Sequence, residues 1–329
     1  MEAVSVVDYH TAGEPFRIVP TGVEVPGATV PDRRVFAQSS GSVDAVRQLL
    51  VNEPRGHADM YGGFIVPGND DGADFGVLFW HKDGYSTACG HGTIALGTWA
   101  VETGLVRSAA DGDTDVVIDV PSGRVVARVS CSGGVVTGVA FRNVPSYVVD
   151  RGLPVSTSRA DVVADLSFGG AFYASVPASS VGLSVTPACY SELIAVGREI
   201  KWELDAMAVH PTDPRLSGLY GTILYDDLDT MDAGPHQRNL AVFADGEADR
   251  SPCGSGTSAR LALLYDEGRL GRGQVLRHDS IVGTTFLGRV VEDTPAGVIT
   301  EVAGAAYRTG TATFTLDPRD PLGTGFTLR

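Results

Sequence analysis

Lysine is almost missing from this chain. Only Lys82 and Lys201 occur among 329 residues, and neither lies in a motif that would hold pyridoxal phosphate. Basic clusters are absent too, and 25 Lys and Arg against 40 Asp and Glu leave a net charge of −15, which disfavours nucleic acid and anionic membranes as partners. No apolar run approaches the ~20 residues that cross a bilayer. The opening MEAVSVVDYH has neither the basic start nor the apolar stretch of a signal peptide, so a cytoplasmic setting is expected. Four cysteines, Cys89, Cys131, Cys189 and Cys253, are too few and too scattered for a disulfide scaffold. None forms a CxxC pair, and His10, His57, His81, His210, His236 and His278 are dispersed, so no metal site is expected.

What the chain does contain is an internal repeat. STACGHGTIALGTWAVETG (86–104) and RSPCGSGTSARLALLYDEG (250–268), aligned on their cysteines, share Gly90/Gly254, Gly92/Gly256, Thr93/Thr257, Ala95/Ala259 and Gly104/Gly268. Upstream, Phe79 and Phe243 each precede their cysteine by the same interval. Cys89 and Cys253 lie 164 positions apart, half the chain, so a whole-chain duplication is the simplest reading.

A coarse pass agrees with two similar halves. The first reads as a strand at VSVVDYH, a helix at SVDAVRQLLVNE, strands at GGFIVP and FGVLFWH, then the cysteine helix. The second reads as a strand at AFYASV, a helix at TPACYSELIAVGREIKWEL with Thr186 as N-cap and Pro187 in its first turn, strands at TILY and NLAVFA, then its cysteine helix. Between them, residues 114–150 alternate with turn signals, as an antiparallel meander does. The closing AAYRTGTATFTLDP reads as another strand. The expected division is 1–158, joined by the terminal segment 305–329, and 159–304, with a site at the interface.

Each cysteine is placed at the start of a helix, where backbone N–H groups lack intrahelical acceptors. The helix end stabilises a nearby anion by ~0.3–2 kcal/mol, enough at 1.36 kcal/mol per unit to lower a thiol pKa by up to about one unit. The same N–H groups bind carboxylates or phosphates. One thiol per half beside an anion-binding backbone fits inversion of a stereocentre, in which a base removes the α-proton from one face and an acid returns a proton to the other. N–H contacts to the carboxylate also stabilise the enediolate-like transition state, so no cofactor is required. The repeat breaks at Tyr85 and Asp249, four residues before the cysteines, and Asp249 is the candidate partner for a substrate ammonium. His91 faces Ser255 across the repeat.

Blander readings compete. Cys131 and Cys189 are expected to be small buried hydrophobes. His91 serves the turn backbone as readily as a ligand, and Asp249 beside Arg250 also suits a surface ion pair. The glycine-rich turns lack the Gly-Lys-Ser/Thr of a phosphate loop.

ACGHGT, DRSPCGSGTSA, DYHTAGEP and DMYGGFIVP together resemble the proline racemase family, over essentially the whole chain. The resemblance implies an α/β (α+β) fold like that of diaminopimelate epimerase, two pseudo-symmetric halves each wrapping strands around a central helix. It implies that Cys89 and Cys253 are the catalytic pair and that the N–H groups of Gly90, His91, Gly254 and Ser255 hold a carboxylate. It also implies that Asp249 meets a ring nitrogen, with Tyr61 and Phe243 enclosing the ring. Dehydratases of the family typically carry threonine in place of Cys253, whereas LYGTIL and the chain end resemble that branch more closely. Tyr61, where proline racemases commonly have phenylalanine, adds a hydroxyl.

Weighing the paired thiols first, the leading expectation is 4-hydroxyproline 2-epimerisation or proline racemisation. The alternative is trans-3-hydroxy-L-proline dehydration, and a non-catalytic imino-acid-binding or thiol redox protein ranks below both. The expected partner is a small imino acid, and the protein association expected is a homodimer.

Overall fold

The computed structural model describes residues 3–229 and 233–328. It is the mixed α/β architecture expected from the sequence, with helices α1 (Val30–Ser39), α2 (Gly41–Val51), α3 (Gly90–Glu102), α4 (Tyr190–Leu204) and α5 (Gly254–Asp266) among the described residues. The two cysteine helices are unlike the others. Every residue from Gly90 to Ala100 and from Gly254 to Leu264 is buried, so neither helix has a solvent face. A helix enclosed on all sides needs small residues where backbones close in. Gly97 supplies one, since a Cβ there would lie 2.7 Å from the Ala127 methyl on the enclosing sheet.

Strand pairing repeats with the duplication. In the first set, Ala306–Phe314, Val4–Thr11, Glu14–Val19, Gly62–Val66, Phe75–His81, Gly112–Val120, Gly123–Ser132 and Val135–Arg142 lie side by side in that order. In the second, the order is Tyr147–Ser156, Asp161–Phe168, Phe172–Pro177, Leu219–Asp227, His236–Phe243, Leu276–Ser280, Thr285–Thr294 and Gly297–Gly304. The sense of each successive pairing is the same in both: antiparallel twice, parallel, antiparallel, parallel, then antiparallel twice. Val135–Arg142 pairs antiparallel with Gly297–Gly304 and joins the sets. The first set packs around α3 and the second around α5. The terminal strand therefore closes the first set against Val4–Thr11. Tyr147–Ser156, drawn with the first half in the division at residue 158, ladders instead with Asp161–Phe168 and goes with the second.

Some local readings differ. Thr186 makes no side-chain cap; Pro187–Cys189 form a separate 3₁₀ turn, and α4 begins only at Tyr190. Cys189 is accordingly half-buried rather than a core residue, whereas Cys131 is buried. Helix α1 was not anticipated, although Thr29 and Asp32 form a reciprocal capping box with Pro31 in the first turn. Among the described residues no helix is long and apolar enough to cross a membrane.

Candidate active site

The two cysteine helices meet tip to tip. A Cβ on Gly90 would stand 2.5 Å from the Gly254 Cα and 2.6 Å from the Ser255 nitrogen, and one on Gly254 would stand 2.7 Å from the Gly90 Cα. Glycine is required at both positions because backbone meets backbone. This contact brings the first-turn N–H groups of Gly90, His91, Gly254 and Ser255 together, and none of them has an acceptor within its own helix.

Cys89 is the N-cap of α3, and its Sγ accepts the Gly92 N–H at 3.2 Å. Cys253 occupies the same place on α5 with a different backbone, φ +62°, a left-handed conformation uncommon outside glycine. A buried chain of hydrogen bonds supports that turn. Asn239 donates from Nδ2 to the Pro252 carbonyl (3.1 Å) and to His278 Nε2 (2.8 Å). His278 Nδ1 then meets the Thr257 hydroxyl at 2.8 Å, and that hydroxyl donates to the Pro252 carbonyl at 3.2 Å. Burial pushes the His278 pKa down to about 3, which keeps the ring neutral and able to both accept and donate.

Asp249, 3% exposed, lies on the short strand Glu247–Asp249. Its Oδ1 accepts from the Ser251 N–H (2.8 Å) and hydroxyl (2.7 Å), and its Oδ2 lies 3.6 Å from His91 Nδ1. The surface ion pair with Arg250 does not form. Arg250 reaches Asp59 at 2.6 Å and Glu14 at 3.8 Å instead. His91 sits with both ring nitrogens 3.5 Å from the Cys89 sulfur, and its carbonyl accepts from Thr11 Oγ1 at 2.9 Å. The ring and the turn backbone are thus both engaged. Tyr61 packs edge-on against His91 (5.1 Å between centroids) and Phe243 (5.7 Å). All nine candidate residues therefore gather around the helix tips.

Sequence reasoning passed over several neighbours. Glu14, in DYHTAGEP, is fully buried; its Oε2 accepts the Arg250 N–H at 2.7 Å and its Oε1 makes no hydrogen bond. Burial, and then the Asp249 carboxylate, push its pKa well above the carboxylate range. Tyr173 places its hydroxyl 2.7 Å from Ser255 Oγ and 3.6 Å from the Cys253 sulfur. Tyr220, in LYGTIL, stacks on Phe243 (5.5 Å, 9°) and donates its hydroxyl to Tyr61 at 3.1 Å, and Tyr61 is in turn hydrogen-bonded to Ser86. Both Glu14 and Tyr220 lie in stretches that carried the family resemblance, so the signal was present without a role attached.

The electrostatics depart from expectation. Helix tips alone would lower both thiol pKa values. Burial instead raises Cys89 well above the ordinary thiol value; the Gly92 N–H opposes this and the Asp249 charge adds to it. Cys253 is raised for the same first cause, with Asp249 next and the Tyr173 hydroxyl opposing. The reason is one of scale. Desolvation shifts a fully buried group by several units, whereas a helix end contributes about one. Cys89 and Cys253 are each 4% exposed.

What this arrangement offers is an anion cradle of backbone donors, a carboxylate for a cation, and a proton-carrying thiol from each half. Comparison with known proteins gives the same direction. A trans-3-hydroxy-L-proline dehydratase from Burkholderia cenocepacia (strain HI2424) is 44% identical over 335 aligned residues, covering 99% of this chain and 98% of that protein. A 3-hydroxyproline 2-epimerase from Burkholderia multivorans is likewise 44% identical over the same shares. The crystal structure of a hydroxyproline epimerase from Agrobacterium vitis with bound trans-4-OH-L-proline superposes with a TM-score of 0.91 at 29% identity, covering 99% of this chain and 96% of that one. With the family model described as proline racemase matching residues 6–327, the chain belongs to the proline racemase family.

Proposed function

We propose that this enzyme removes the Cα proton of trans-3-hydroxy-L-proline and expels the 3-hydroxyl as water, leaving a cyclic imine. The observation that carries this reading is the meeting of the two helix tips at Gly90 and Gly254, with Cys89 and Asp249 beside them. The tips serve either reaction, and it is the names of the relatives that support reversing the order of the two leading expectations. Relatives named for 3-hydroxyproline chemistry match at 44% over nearly the whole chain, and the 4-hydroxyproline-bound epimerase structure at 29%.

The substrate carboxylate sits on the N–H groups of Gly90, His91, Gly254 and Ser255. As Cα loses its proton, charge moves onto that carboxylate, where these preorganised donors stabilise it. The ring nitrogen, a secondary ammonium, pairs with Asp249. This contact also cancels the charge that helps hold both thiols protonated, so substrate binding itself lowers the barrier to forming a thiolate. Once its own proton has passed to solvent, Cys89 acts as the thiolate and takes the Cα proton. In trans-3-hydroxy-L-proline the Cα hydrogen and the 3-hydroxyl lie on one face of the ring, because the hydroxyl is opposite the carboxylate. One thiol therefore suffices: the Cα–H electron pair becomes the C2=C3 bond, the C3–O bond breaks, and the proton on Cys89 leaves with the oxygen as water. The resulting enamine tautomerises to the imine.

A second reading, 2-epimerisation of the same substrate, rests on Cys253. Inversion needs a donor on the opposite face, and this thiol, with the Tyr173 hydroxyl 3.6 Å away, fills that role. Incubation in heavy water with proline, 3-hydroxyproline and 4-hydroxyproline, followed by mass spectrometry and chiral chromatography, tests both. Water loss from the trans-3-hydroxy substrate is expected; absence of Cα exchange and of water loss with every substrate overturns both readings.

A further inference from the structure

The internal repeat exposes one asymmetry that the proton chemistry leaves unused. Gly63 pairs with Phe79 in the first half and Gly221 with Phe243 in the second, so the residues before them correspond: Gly62 and Tyr220. A side chain at Gly62 would strike the Trp80 ring at 2.3 Å, whereas the second half carries a full phenol at that point. Asp249 in place of Tyr85 is another such break, and in the proposed reading it meets the substrate ammonium, which a symmetric site cannot serve. Tyr220 invites the same question about the ring substituent.

Its surroundings answer it. The Tyr220 ring lies flat on Phe243 and edge-on to Tyr173, at 5.5 Å in both cases. Tyr173 reaches Cys253, and Tyr61, on the other side, packs on His91 beside Cys89. The hydroxyls of Tyr220, Tyr61 and Ser86 thus form a connected row, linked through Tyr173 to Cys253 and through His91 to Cys89. In that row the Tyr61 oxygen already accepts from Tyr220, leaving the Tyr220 oxygen with lone pairs to offer and a hydroxyl proton that can rotate to a new acceptor. Burial and the neighbouring phenols raise its pKa, so it remains a neutral donor.

Resting on the dehydration reading, we infer that Tyr220, backed by Tyr61, is the specificity-determining residue that engages the 3-hydroxyl of the substrate. Its O–H turns from Tyr61 to the hydroxyl oxygen and holds the C3–O bond on the Cys89 face, while the departing proton still comes from Cys89. A plain proline ring leaves this donor unanswered. A site built to hydrogen-bond a substrate hydroxyl discriminates against the analogue that lacks it.

The test compares kcat/KM for water loss from trans-3-hydroxy-L-proline with kcat/KM for Cα hydrogen exchange of L-proline in the whole enzyme. Tyr220→Phe keeps the ring stack and removes only the hydroxyl. The ratio of the two constants should fall at least about tenfold, with the loss concentrated in kcat for the hydroxylated substrate. Tyr61→Phe should move the ratio the same way by a smaller factor. An unchanged ratio, or equal losses on both substrates, overturns the assignment. If the wild-type enzyme handles both substrates equally well, this inference fails while Cα proton removal stands; if it handles neither, the proposed function fails with it.

Discussion

At the scale of single residues, the thiols behave against the simplest rule. A cysteine at a helix start is ordinarily activated, yet Cys89 and Cys253 are raised by burial and by Asp249. Cys189, half-buried, is held below the ordinary thiol value by the Thr186 hydroxyl. Alkylation by iodoacetamide at neutral pH, followed by peptide mass mapping, should therefore label Cys189 before either site cysteine. Preferential labelling of Cys89 would contradict this account of the site. Glu14 carries a second consequence. Its folded pKa is raised, so the native state holds a proton that the unfolded chain releases, and stability falls as pH rises above the ordinary carboxylate value of about 4.3. Glu14→Gln keeps an acceptor for the Arg250 N–H and removes this slope. Its thermal midpoint should gain on the wild type as pH rises above that value. A pH-independent difference would show that Glu14 titrates normally.

At the scale of elements, the site depends on two helix ends in backbone contact. Gly90→Ala places a methyl 2.5 Å from the Gly254 Cα, where no flexible side chain can yield. The helix tips must separate, at a cost of about 1–3 kcal/mol. Displacing a carboxylate cradle by even ~1 Å should lower kcat/KM about a hundredfold. Thermal unfolding and steady-state kinetics measure both effects, and a variant within twofold of wild-type activity would mean that the tips do not form the cradle. The same elements show what was legible in the sequence. The repeated Cys-Gly-x-Gly-Thr announced a helix after each cysteine, while their enclosure by strands was implied by the family resemblance and not by the helices' own residues, since α5 buries Arg260 and Ser258. The capping box of α1 was equally explicit and went unread. The start of α4 was misplaced because Thr186 and Pro187 suit a 3₁₀ turn as well as a helix start. Burial of the thiols could not be read locally, since it arises from Glu14, Asp249 and the opposite helix meeting in space.

At the scale of the whole molecule, duplication supplies two of everything and function lies where the copies differ. The two sets of strands share one order and one sense of pairing, down to the exchange of an outer strand from the far end of each half. Their joint product is a site that neither half contains alone, with Cys89 from one and Cys253 from the other. Asp249 and Tyr220 are two of the departures from symmetry, and in the proposed reading each answers an asymmetric feature of a substituted ring. The central claim is that Cys89 carries the proton of water loss while Cys253 serves only the opposite face. It is tested most directly by comparing Cys89→Ser and Cys253→Ser on trans-3-hydroxy-L-proline, with cyclic imine formation and Cα inversion followed together. The account predicts that Cys89→Ser loses both reactions, at least about a hundredfold, whereas Cys253→Ser loses inversion and retains water loss. Water loss that survives in Cys89→Ser, or disappears in Cys253→Ser, would contradict it.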